Sequence, residues 1–176
     1  MMSRILILAE DIMTVATTRK LAPAIDAGLL SRIAQEGYGN GAWHGPDLRS
    51  ALADVTADVA FWRPGAGRHN IAEIAVHHAY TTRSVIARLT GGDADPFPLE
   101  GDDWFELSNE SRVSWSSILN LVAAQQEKLE NAIADLGAGR ARPADTDAKP
   151  FDLLLGITCH AVYHAGQIQL IKRLRS

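Results

Sequence analysis

The chain has 176 residues, of which 47% are hydrophobic and 22% are charged, and its formal net charge is −4. This length suits one domain with a substantial core, so we take residues 1–176 as a single domain. The negative charge and the lack of a Lys/Arg cluster exclude a typical nucleic-acid-binding surface. The single cysteine, Cys159, excludes an internal disulfide and favours a reducing compartment.

The N-terminal residues 1–16 are either an extension or the lead-in to the first helix. Their apolar run, at 5–9, is too short to span a membrane, and no signal-peptide cleavage pattern follows it. We therefore expect a cytoplasmic protein that does not interact with a membrane.

The first helical segment is predicted over residues 17–36. Its apolar residues recur every four positions, at Leu21, Ile25, Leu29 and Ile33. A glycine-rich stretch at 37–41 should end it. A short helix is then predicted over residues 48–61.

Two long helices are predicted in the middle of the chain. Asn70 followed by Glu73 has the form of a capping box, so a helix should begin at Ile71 and stop at Gly91. Residues 93–103 contain two prolines and several acids and are predicted to form a crossing loop. The next helix is predicted over residues 108–136.

The last helix is predicted from Pro150, which suits a first helical turn, to about residue 174. No segment of the chain shows sustained alternation of apolar and polar residues, so no strand is expected. These elements predict an all-α fold, a four-helix bundle with a small additional helix.

A histidine pair lies on this last helix. His160 and His164 are four residues apart and therefore share one helical face, where two imidazole nitrogens can reach one metal ion. The apolar residues around them point into the core and are Ile157, Ala161, Ile168 and Ile171. Ala161 stands where zinc peptidases carry a glutamate base, so this helix brings no acid–base group. Core histidines bonded to backbone carbonyls are the alternative interpretation.

A metal site needs a further ligand, and the candidates are His77 and His78. Helical periodicity favours His78, because it lies nearer the centre of the apolar stripe of the helix that begins at Ile71. The side chain of His77 projects about 100° away from it. The acidic loop at 93–103 is not expected to supply a ligand.

Three stretches resemble the DinB-like superfamily, which includes bacillithiol transferases and mycothiol-dependent isomerases. They are Trp43-His44-Gly45-Pro46, Arg63-Pro64 leading to Ile71-x-Glu73-Ile74-x-x-His77, and Gly156 followed by His160-x-x-Tyr163-His164-x-Gly166-Gln167-Ile168. The resemblance covers about residues 20–174. It implies a four-helix bundle that binds one divalent metal ion through three histidines, one on the second long helix and two on the last. Matched to this chain, these are His77, His160 and His164, so the resemblance and the helical periodicity disagree.

The resemblance also implies a function. We expect Zn²⁺, Ni²⁺, Mn²⁺ or Fe²⁺, since all of them suit three imidazoles, with the remaining positions open to water or substrate. The implied activity is that of a metal-dependent thiol transferase or hydrolase acting on a small molecule such as a low-molecular-weight thiol. The alternative is a stress-associated metal- or ligand-binding protein without turnover. No catalytic residue can be named from the sequence, and we expect a homodimer.

Other residues near these motifs receive simpler interpretations. We interpret His44 and His69 as loop residues. Tyr163 is predicted to pack with its hydroxyl at the rim of the site. Gln167 is expected to hydrogen-bond a ligand histidine or the facing helix, and Cys159 to be a small buried residue.

Overall fold

A computed structural model describes residues 26–39, 42–143 and 149–175. Within these ranges the chain forms six helices and no strand. The helices are α1 (Ala27–Gly37), α2 (Leu48–Leu52), α3 (Ala57–Phe61), α4 (Ile71–Thr90), α5 (Trp115–Gly137) and α6 (Pro150–Arg175). The predicted all-α class is therefore confirmed.

The four longer helices pack side by side. α4 packs against α5 and α6, and α1 packs against the same two helices. Fully buried aliphatic side chains such as Ile118, Ile133 and Ile168 fill the space between them. Gly37 permits the close approach of α1 to α6, because a Cβ atom there would lie 3.0 Å from the Cβ of Ala161. The short helices α2 and α3 lie against α6 and α4, respectively.

The predicted limits of α4 are confirmed. The Asn70 side chain accepts a hydrogen bond from the Glu73 N–H at 2.9 Å, and the Glu73 carboxylate accepts one from the Asn70 N–H at 3.3 Å. This capping box satisfies two backbone donors that the first turn leaves unpaired. At the other end, Gly91 adopts the left-handed conformation with φ 75°, which stops the helix.

The single helix predicted over residues 48–61 is wrong, because two short helices occupy this segment. Between them Asp54 has a positive φ of 59°, which no helical residue adopts. Thr56 then caps α3 by accepting a hydrogen bond from the Val59 N–H at 3.4 Å. Only Gly and, less often, Asn or Asp adopt positive φ, so the break at Asp54 gives a weak sequence signal.

Two other helices begin later than predicted. α5 begins at Trp115 and not near residue 108, because the Ser114 hydroxyl accepts from the Ser117 N–H at 3.1 Å and caps the helix there. The helix predicted from residue 17 instead begins at Ala27, because the Asp26 side chain accepts from the Leu29 N–H at 3.0 Å and caps it there. The rest of that predicted segment, 17–25, and the extension at 1–16 lie outside the described residues.

Helix α6 begins at Pro150, as predicted, and buries the expected apolar stripe of Ile157, Ala161, Ile168 and Ile171. The prediction of a buried Cys159 is wrong, since this residue is exposed. Across the described ranges, no helix combines the length and apolar character needed to cross a membrane.

Candidate metal centre

Helices α4 and α6 bring three histidines together. The Nε2 atom of His160 lies 3.0 Å from Nε2 of His77 and 3.1 Å from Nε2 of His164. One potential ligand atom from each ring lies within 4.8 Å of the other two. His77 and His164 are buried, and His160 is half-buried. The helical spacing of four places two of these rings one turn apart on α6, and the packing of α4 on α6 supplies the third.

Nδ1 of His77 and Nδ1 of His164, the nitrogens that face away from the centre, each have a hydrogen-bond partner. Nδ1 of His77 donates to the backbone carbonyl of Asp103 at 2.9 Å, and the Asp103 carboxylate lies 3.1 Å from the same nitrogen. Nδ1 of His164 donates to the side-chain carbonyl of Gln167 at 2.6 Å. A carbonyl oxygen can only accept, so both Nδ1 atoms carry a proton. In neutral rings the two Nε2 atoms are then unprotonated and present lone pairs to the centre.

The rings of His160 and His164 are neutral at physiological pH. Burial, together with the neighbouring imidazoles, lowers the pKa of His160 to about 4. Burial likewise lowers the pKa of His164 to about 4, against the opposing effect of the bond with Gln167. Neutral imidazole is the protonation state that binds a metal ion.

The spacing of the three nitrogens fits a metal ion. Converging lone pairs repel one another, and a cation bound between them removes this repulsion. Ligands at metal–nitrogen distances of about 2.0–2.1 Å in a tetrahedral site lie about 3.3 Å apart. The separations of 3.0 and 3.1 Å around His160 are a few tenths of an ångström shorter. The separations around His160 are therefore compatible with a borderline-soft divalent ion held by His77, His160 and His164.

The segment before α5 forms one wall of the site. The Trp104 indole stacks on His77 with ring centroids 4.0 Å apart and on His69 with centroids 3.7 Å apart. Asp103 has a positive φ of 64°, and the chain turns there next to the His77 ring. We predicted only a connecting loop here. Asp103 and Trp104 follow His77 by more than 25 residues, and no spacing rule links such positions.

His69 lies in the loop before α4, as predicted, and its exposed side chain contacts a buried carboxylate. Its Nδ1 lies 3.1 Å from a carboxylate oxygen of Glu73. Burial alone raises the pKa of Glu73, but hydrogen bonds from the Arg63 guanidinium and the Leu107 N–H outweigh burial and lower it. Glu73 is therefore ionised and orients the His69 ring, leaving Nε2 of His69 without a partner among the described residues.

A cavity of about 600 Å³ lies beside His69 and Gln167, and the three converging histidines are not among its lining residues. Its wall is largely aliphatic, with a few polar groups at the rim, and consists of Pro64, Gly67, Arg68, His69, Ile74, Gln167, Leu170, Ile171 and Leu174. Gln167 connects the cavity to His164 through the 2.6 Å hydrogen bond. A mostly apolar pocket with a few polar groups is typical of small-molecule sites.

His78, which helical periodicity favoured as a ligand, is buried but lies outside the converging set. All residues of α4 from Ile71 to Ala79 are buried, so the helix has no solvent-facing side over this stretch. A helical wheel cannot separate His77 from His78 there. Burial lowers the pKa of His78 well below its usual value. Its Nδ1 contacts Nδ1 of His160 at 3.2 Å.

The remaining predicted residues lie around the site. His44 is exposed and donates from Nε2 to the Glu36 carbonyl at 2.9 Å, away from the three rings. Tyr163 is largely exposed, and its ring meets the His164 ring edge-on with centroids 5.2 Å apart. Its hydroxyl accepts from Gln167 Nε2 at 3.1 Å. Of the two bonding partners expected for Gln167, the structure shows the histidine.

Comparison with known proteins supports the motif resemblance. A family model for the DinB superfamily matches residues 42–168, which is more than half of the chain and includes all three converging histidines. No curated protein and no solved structure matches the chain with significant similarity.

Proposed function

The chain belongs to the DinB superfamily, and on that premise we propose that it binds one divalent metal ion through His77, His160 and His164 inside a four-helix bundle. The convergence of three imidazole nitrogens from α4 and α6 carries this proposal. The bundle architecture is supported by the packing of α1, α4, α5 and α6, each of which contacts two of the others.

The three imidazoles leave further coordination positions for water or a substrate, which is characteristic of catalytic metal sites. A bound divalent ion would supply Lewis acidity and lower the pKa of a water or thiol at an open position. Trp104, stacked on His77, covers one side of the centre, while Asp103 and Gln167 hold two of the rings in orientation. Zn²⁺, Ni²⁺, Mn²⁺ and Fe²⁺ all suit this donor set.

Metal content tests the proposal directly. Protein stripped with a chelator is incubated with Zn²⁺, desalted and submitted to elemental analysis. We expect one ion per chain in the wild type and in His44→Ala, which removes an exposed histidine outside the centre. His160→Ala should retain almost none, because a two-histidine remnant holds a divalent ion weakly. Equal zinc content in the wild type and His160→Ala would overturn the metal site.

A catalytic role, of the thiol transferase or hydrolase kind, is favoured by the cavity and by His69. The aliphatic side chains of Ile74, Leu170 and Leu174 provide a surface for the apolar part of a small substrate. Glu73 holds Nδ1 of His69, so Nε2 can accept the proton that a thiol or a water molecule loses when it reacts. The alternative, a non-catalytic metal- or ligand-binding protein, requires no such base.

Turnover by metal-loaded protein distinguishes these two functions. The probes are a low-molecular-weight thiol, N-acetylcysteine, with a chlorodinitrobenzene electrophile, and separately a nitrophenyl ester for hydrolysis. An enzyme should accelerate one reaction, and His69→Gln should slow it by about 10²- to 10⁴-fold with metal content unchanged. His44→Gln serves as the matched control. Metal-loaded wild type that accelerates neither reaction would favour the non-catalytic alternative.

A homodimer and a cytoplasmic location are further proposals. Several large apolar side chains on α6 are exposed, and a second copy of the chain can cover them. They are Phe151, Leu155 and Tyr163, which lie outside the lining of the cavity. Light scattering after size exclusion tests the dimer, and a single-chain mass would contradict it.

A further inference from the structure

The ring of His160 has contacts at both of its nitrogens. Nε2 faces His77 and His164, whereas Nδ1 lies 3.2 Å from Nδ1 of His78. Two neutral rings in contact through a pair of nitrogens hold one proton between them. This contact alone does not determine which ring donates the proton, because either tautomer of His78 can form it.

The hydroxyl of Thr82 determines which tautomer His78 adopts. This hydroxyl donates to the backbone carbonyl of His78 at 2.8 Å, so its oxygen is available only as an acceptor toward the His78 ring. Nε2 of His78 lies 3.4 Å from this oxygen. Both residues are almost completely buried, at 3% and 1% exposure, which limits replacement of these contacts by solvent. Nε2 of His78 therefore carries the proton, and its Nδ1 is left as the acceptor for His160.

The opposite arrangement would weaken metal binding, because the ion would first have to displace a proton. If Nδ1 of His78 were the donor, His160 would carry its proton on Nε2. That proton would point at the nitrogens of His77 and His164, where the ion is proposed to bind. The direction of one buried hydrogen bond thus decides whether the third lone pair faces the centre.

We infer that His78 and Thr82 are positioning residues that hold His160 in the tautomer with an unprotonated Nε2, and so prepare the site for a metal ion. This inference rests on the metal-binding function proposed above. Asp103 and Gln167 can hold their histidines without help, since carbonyl oxygens have no tautomers. His78, in contrast, has two tautomers, so the Thr82 hydroxyl is needed to select the one that accepts from His160.

Zinc affinity of four variants tests the inference. His78→Leu removes the acceptor and should weaken Zn²⁺ binding by about 10- to 100-fold, the usual loss when such a partner is removed. His78→Asn places an oxygen close to the position of Nδ1 and should bind within a few-fold of the wild type. Thr82→Val should weaken binding by several-fold. Thr90→Val removes a similar hydroxyl–carbonyl bond at the far end of α4 and should have no effect.

Dissociation constants are measured by competition with a chelating dye, with melting temperatures to show that each variant is folded. Folded His78→Leu with wild-type affinity would overturn the inference. So would an equal loss in His78→Leu and His78→Asn, since a packing role predicts no rescue by the amide oxygen.

Nitrogen NMR of the histidine rings in the metal-free wild type gives an independent readout. We expect the His160 proton on Nδ1, and a shift of the proton toward Nε2 in His78→Leu. A wild-type proton on Nε2 of His160 would overturn the inference even if zinc binds. Absence of zinc binding with the proton on Nδ1 would instead contradict the proposed function and leave the hydrogen-bonded arrangement of His78 and Thr82 intact.

Discussion

Metal binding should make the stability of this protein depend on zinc, and His164→Ala should abolish that dependence. His164 is 3% exposed, so truncating it has two separable costs. The lost ring leaves a void that lowers the free energy of unfolding by roughly 2–5 kcal/mol, as for other large buried side chains, with or without metal. The lost ligand also removes the increase in the free energy of unfolding that arises because zinc binds only the folded state.

The size of that increment follows from linkage. With free Zn²⁺ at about 1,000 times the dissociation constant, the wild type should gain about 4 kcal/mol. For a chain of this length, that corresponds to a rise in melting temperature of roughly 8–16 °C.

Circular-dichroism melts with zinc and with a chelator measure this difference. We expect the full increment in the wild type and in His44→Ala, and almost none in His164→Ala. Comparing each protein with itself cancels the cost of the void. If His164→Ala gained as much from zinc as the wild type, our assignment of this ring to the centre would be refuted.

Three further predictions follow from the same geometry. His77→Ala should lose stoichiometric zinc in elemental analysis, whereas His78→Ala should keep it with weaker affinity; the reverse result would mean that His78 is the ligand. Changing the acids of loop 93–103 to their amides should retain full zinc content, because the backbone carbonyl at position 103 still accepts from His77; loss of zinc would reveal a carboxylate ligand. In the metal-free protein, burial lowers the pKa of His160 and His164 from 6.5 to about 4, so the unfolded state binds more protons between these values. The free energy of unfolding should therefore be highest above about pH 6.5 and should decrease as the pH falls toward 4. Urea unfolding across this range measures the decrease, which should be smaller when both histidines are changed to Gln.

The amino-acid sequence predicts most of the local structure that builds the site. The ends of α4 follow from short-range chemistry, since Asn70, Glu73 and Gly91 act on backbone groups within one turn. The pairing of His160 with His164 follows from the helical repeat alone. The family motif supplies His77, the α4 histidine whose Nε2 converges with this pair.

Other features depend on contacts between distant segments and have no local signal. Helical periodicity pointed to His78 because it assumes one buried face, but α3, α5 and α6 all pack against α4, and its first nine residues are buried. Asp54 and Asp103 both have a positive φ. Asp54 divides one predicted helix, and Asp103 turns the chain at the site. Aspartate tolerates that conformation but does not require it.

The contacts around the three histidine rings are the clearest example of features that depend on distant segments. Asp103 and Trp104 reach His77 from a loop that periodicity describes only as a connection. The contact of His78 with His160 joins residues 82 positions apart. Sequence periodicity reports which face of a helix is apolar, whereas the identity of the atom that meets each ring nitrogen depends on how α4, α6 and the preceding loops pack in space.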